Sequence, residues 1–87
     1  MRIGERVGAI QSANGIEVHF YGYGIYVGEE VPPDGFAGEL GVKNPKILLD
    51  NGQIVYGQEC WWGSEEKVKK MIGERKIVMV ETNRLDD

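Results

Sequence analysis

The chain of 87 residues contains one cysteine, one histidine and three prolines, and aromatic residues make up only 9% of it. A single thiol, Cys60, cannot close an intramolecular disulfide, which fits a reducing compartment. One His and one Cys cannot supply the ligand cluster of a structural zinc site. The acidic residues lack the spacing of a calcium loop, so neither a metal nor another cofactor is expected. Basic residues are also in short supply: 10 Lys and Arg stand against 14 Asp and Glu, giving net charge −4 and a pI near 5.0. Such a surface repels phosphate backbones at long range, which argues against direct nucleic-acid binding. No apolar run approaches the roughly 18 residues of a membrane span. The first residues, Met1-Arg2-Ile3-Gly4-Glu5-Arg6, lack the apolar core of a signal peptide. A cytoplasmic protein is the expectation.

Glycine, by contrast, is abundant: 13 of 87 residues, about twice the usual share of roughly 7%. With no collagen-like period, the excess points to turns, bulges and tight strand connections. A hydrophobic share of 41% and a charged share of 28% describe a globular domain. This length allows one core and buries only about 60 to 65% of the unfolded surface.

The dominant pattern is alternation of period two. Residues 6–11 (RVGAIQ) read as a first strand, and Asn14-Gly15 then gives the strongest short-range hairpin signal. Ile16, Val18 and Phe20 alternate with Glu17, His19 and Tyr21, which predicts an inward apolar face. Gly22-Tyr23-Gly24 should turn or bulge the chain before a third strand over 25–27. Residues 29–45 hold all three prolines and read as a long loop, clipped down by Phe36 and Leu40. A fourth strand over 46–49, the Asn51-Gly52 turn and a fifth strand over 53–58 follow. Ser64 suits an N-cap, and the spacing predicts one short helix to Gly73, burying Val68, Met71 and Ile72. Lys67, Lys69 and Lys70 read as its solvated face. Residues 76–81 (KIVMVE) form a last strand that is apolar on both faces, and 82–87 form a polar tail expected to fray.

Short strands, glycine punctuation and one short helix predict a mainly β (α+β) domain over residues 1–87, built as a small, strongly bent antiparallel barrel. The stretches GERVGAI and PKILLDNGQIVYGQE resemble small SH3-like barrels of the KOW or Tudor kind, over roughly residues 4–62. KOW modules carry a basic surface, which this chain lacks. The GYGIYVG and ECWWG segments resemble the style of small phage accessory proteins.

Among candidate sites, Gly22, Gly24 and Gly28 suggest a phosphate loop, but the dinucleotide fingerprint needs glycine where Val27 stands and a helix where a strand follows. A bulge is the better reading. His19 and Cys60 could in principle pair for nucleophilic catalysis, yet nothing in the sequence completes such a site. Cys60 beside two tryptophans reads as a buried, inert thiol. No enzyme activity is expected. Adjacent strand residues point to opposite faces. Of Trp61 and Trp62, one should therefore pack beneath the helix and the other should be at least half exposed. Tyr21, Tyr23 and Tyr26 straddle the glycine segment and, with Phe36, Trp61 and Trp62, form the best binding candidates.

The expected function is therefore that of a non-enzymatic protein-interaction module, of the kind a phage inhibitor or accessory protein would be. Its acidic charge would favour a partner with a basic surface. The alternative is a protein that sequesters a small nucleotide-like ligand, with bases stacked on aromatic rings and phosphate met by Arg6, Lys43 or Lys46. The doubly apolar last strand also raises the expectation of a homodimer.

Overall fold

A computed structural model describes residues 1–82 and 84. Its six strands are β1 (Arg6–Ala13), β2 (Glu17–Glu30), β3 (Asn44–Leu49), β4 (Ile54–Tyr56), β5 (Trp61–Ser64) and β6 (Lys76–Met79). Two helices are interposed, α1 (Gly35–Leu40) and α2 (Glu65–Ile72). The hydrogen-bonded path runs β4-β3-β2-β1-β5, with β6 attached separately to β2. The sheet is mainly antiparallel but open, because β4 and β5 end the path without meeting. The exception to the antiparallel order is β6, which pairs parallel to β2 from Glu17↔Lys76 to Phe20↔Met79. The helical connection through α2 makes that direction possible, since a tight hairpin cannot join parallel strands.

Both Asn-Gly turns close hairpins, β1 to β2 and β3 to β4. At the first, the Asn14 side-chain oxygen accepts from the amides of Ile16 and Glu17, both at 2.8 Å. That bonding keeps Ile16 in the turn. The ladder therefore starts one residue later, leaving Ile16 78% exposed while Val18 and Phe20 are buried. The expectation that Ile16 points inward fails for this reason.

The Gly22–Gly24 segment does not separate two strands. β2 runs through it as one strand of 14 residues. Ile10 pairs Phe20 and Ala9 pairs Gly22, so Tyr21 is an extra residue, a bulge. Gly22 carries it at φ 131°, a conformation open to glycine. One added residue reverses the alternation. Val18 and Phe20 face α2, where they meet Ile10, Val68 and Ile72. Beyond the bulge, Tyr26 faces the concave side with Tyr21, Val7, Ala9, Ile47, Leu49 and Val55.

α2 is capped as its sequence demands, with the Ser64 hydroxyl accepting from the Lys67 amide at 3.2 Å. It docks through Val68 and Ile72, whereas Met71 is 42% exposed because two turns present only a narrow stripe. Lys69 and Lys70 pair with Glu65 and Glu66 on the wet side.

Within 29–45, read from sequence as loop alone, α1 forms a short helix ended by Gly41 in the left-handed region. It docks through Ala37, which is buried. A Cβ on Gly38 would stand 2.8 Å from the Pro32 carbonyl, so only small residues allow this approach. Phe36 and Leu40 consequently point outward and do not clip the segment down. The tail anchors here too: Arg84 donates to Glu59 and, at 2.6 Å, to Asp34 beside α1. Its carbonyl accepts from the Ile54 amide at 2.8 Å. Residues 83 and 85–87 of the tail expected to fray lie outside the described residues. Among the described residues, no helix is long and apolar enough to cross a membrane.

Candidate functional site

β2 has two partners on one edge. β3 follows its second half and β6 its first, and the bulge lies between them. The Asp50 amide donates to the Tyr23 carbonyl and the Val80 amide to the Phe20 carbonyl, both at 2.9 Å, so the two partners diverge around Tyr21 and Gly22. The fork leaves a cleft of about 150 Å³ lined by Tyr21, Gly22, Tyr23, Leu49, Asp50, Asn51 and Met79. Its walls are mostly apolar, and Asp50 and Asn51 form a polar lip. The sequence marked Tyr21 and Tyr23 but not Leu49, Asp50, Asn51 or Met79. The fork depends on β6 meeting a strand 59 residues earlier, and no local pattern encodes that meeting.

Charge at the lip is already neutralised. Arg6 donates to both carboxylate oxygens of Asp50, at 2.6 and 2.7 Å, and to Glu65 at 2.9 Å. These bonds hold the Asp50 and Glu65 carboxyls below their ordinary range and the guanidinium above its own. Lys46 pairs with Glu30 at 3.1 Å, and Lys43 is exposed in the segment after α1. The three cations named as phosphate contacts are thus spread over different elements, and two of them are engaged by carboxylates.

The tyrosines divide between the two faces. Tyr21 and Tyr26 are buried on the concave side. Tyr26 stacks on Trp62 at 5.6 Å and 11° and donates to Glu29 at 2.6 Å, which raises its phenol pKa. Tyr23 lies on the α2 side, edge-on to Phe20 at 4.9 Å, with the Lys69 ammonium 5.7 Å from its ring centre. Trp62 therefore packs in the concave core and not beneath the helix as the sequence suggested. Its register partner Ala9 belongs to that core, and β5 keeps strict alternation up to Ser64. Trp61 points the other way and is 43% exposed.

Cys60 is half-buried, and its thiol donates to the Tyr56 carbonyl at 3.5 Å. Burial pushes its pKa up to about 12, so the thiol stays protonated near neutrality. His19 meets Glu17 at 3.0 Å, a different partner on a different element. Among the described residues, no group of three or more His, Cys, Asp or Glu is placed to hold a metal ion.

Outside the fork, a group of exposed apolar side chains lies on and around α1. Phe36 and Leu40, one helical turn apart, are 74% and 60% exposed, and Val31 and Val42 flank the helix at 41% and 48%. In comparison with known proteins, no family model, no curated protein and no solved structure matches the chain.

Proposed function

We propose that this chain is a non-enzymatic protein-interaction module, an SH3-like bent sheet that presents α1 to a protein partner. The observation that carries the reading is the outward projection of Phe36 and Leu40 from a helix whose buried residue is Ala37. Exposed apolar groups gathered on one element mark contact surfaces, and an aromatic anchor is the usual centre of one. Glu30 and Asp34 are paired with Lys46 and Arg84, while Glu29 and Glu39 meet no cation among the described residues, so the fitting partner offers an apolar pocket with a basic rim. A phage-type inhibitor or accessory protein is a setting that suits this size and style.

Size weighs against the fork cleft as the site of the nucleotide-like alternative. The fork cleft holds about 150 Å³, whereas small-ligand pockets run from about 300 to 1,000 Å³. A void of this size takes a single ring, such as one side chain of a partner. The test pairs two measurements. Affinity capture from the source cells should retain a protein with the wild type and lose it with Phe36→Ala/Leu40→Ala, whose melting temperature should match the wild type. A panel of nucleotides should leave the melting temperature unchanged. A strong nucleotide-induced rise, or equal capture by the variant, would overturn the reading.

A further inference from the structure

We infer that the outer edge of β6 pairs with a second copy of this chain, as an antiparallel, two-fold symmetric extension of the sheet. Among the described residues, β6 is bonded to β2 on one side only. Lys76 and Val80 donate to the Ile16 and Phe20 carbonyls, so the even-numbered residues of the strand face β2. The N–H and C=O groups of Ile77 and Met79 therefore face outward. Among the described residues, no hydrogen bond reaches them from that side. The same two residues expose their side chains, 46% for Ile77 and 62% for Met79. Between Ile77 and Val80 the edge has none of the prolines or charges that usually block strand pairing.

Symmetry then selects the register. A two-fold axis normal to the sheet keeps each side chain on its own face, so opposed residues must be an even number apart. Centring the axis on Val78 sets Ile77 against Met79 of the second copy, twice over, and links them by four backbone hydrogen bonds. Apolar side chains cover one another, and Arg75 falls opposite Glu81 of the second copy. That charge match is unused within one chain. Among the described residues, the Arg75 guanidinium meets only the carbonyls of Asn14, Met71 and Ile72, and Glu81 is exposed. Lys76 lies opposite Val80 at the end of the ladder, where its stem covers apolar surface while its ammonium stays in water. Centring on Met79 would instead press Ile77 against the Glu81 carboxylate.

Sedimentation of the full chain at micromolar concentration tests the inference. The wild type should be a dimer in concentration-dependent exchange with monomer. Glu81→Arg, which sets like charges opposite, should raise the dissociation constant roughly tenfold or more without altering the circular dichroism. Val78→Cys, in a Cys60→Ser background, should form a covalent dimer under mild oxidation. In the inferred register the two Val78 positions are a non-hydrogen-bonded pair about 4.5 Å apart at Cα, within disulfide reach. A monomeric wild type overturns the inference, and so does a dimer in which Val78→Cys fails to cross-link. If the cysteine variant does not fold, a dimer indifferent to Glu81→Arg overturns it.

Discussion

The concave face of the sheet and the face under α2 are built on the same strands, yet different atoms close them. On the concave face, β3 lies so near β2 that a Cβ on Gly24 would stand 2.2 Å from the Leu48 carbonyl oxygen and 2.7 Å from Leu49 Cα. Both are backbone atoms of a paired strand. Under α2 the equivalent approach is at Gly8, where a Cβ would meet Val68 Cγ1 at 2.8 Å and Tyr23 Cδ1 at 3.1 Å. Those are side-chain atoms, one of them on a helix of two turns. A face closed by backbone cannot yield without breaking its ladder, whereas one closed by side chains can shift by a fraction of an ångström.

This contrast orders the expected effects of substitution. Gly24→Ala should cost about 3 kcal/mol or more, the upper end for overpacking, because β3 must move as a unit. Gly8→Ala should cost only about 1 kcal/mol, taken up by Val68 and a small displacement of α2. Urea unfolding of the two variants side by side checks the order, and equal losses would remove the distinction between the faces.

The smallest effect concerns the ion pairs that tie the two faces together. Arg6 joins Asp50, in the turn after β3, to Glu65, the first residue of α2. It holds both carboxyls below their ordinary values of 3.8 and 4.5. A depressed carboxyl adds stability that is full above its unfolded pKa and lost as pH falls through the folded one. Arg6→Met should therefore melt slightly below the wild type at pH 7, the gap being small because the pair is exposed. It should begin to narrow as pH falls below about 4 and close only once pH has passed below the depressed folded values, where both states are protonated. A gap that stays constant down to pH 2 would show that Arg6 acts through packing instead.

Much of the framework was legible from short stretches of chain. Asn14-Gly15 and Asn51-Gly52 set their turns with their own side chains, Asn14 bonding two amides and Asn51 bonding the Gln53 amide at 2.9 Å. Ser64 caps α2 by the same local chemistry. Periodicity marked Val18, Phe20, Val68 and Ile72, which are buried, but equally Ile16 and Met71, which are exposed. The candidate site was less legible. Phe36 was visible as a large apolar residue in a glycine- and proline-rich segment, but its exposure depends on Ala37 and Gly38 reaching Pro32 first.

Residue identity thus fixes the chemistry that acts within about four residues: turns, caps, and the alternation of each uninterrupted strand or helix. Long-range pairing settles the rest. The extra residue at Tyr21 shows itself only against the register of β1, and it moves Tyr26 to the opposite face from Phe20. The parallel pairing of β6, the cleft it opens against β3 and the outward edge it leaves all arise from Glu17 meeting Lys76. Such contacts join distant segments whose composition does not mark them as partners, because backbone hydrogen bonds, the same for every residue but proline, hold them together.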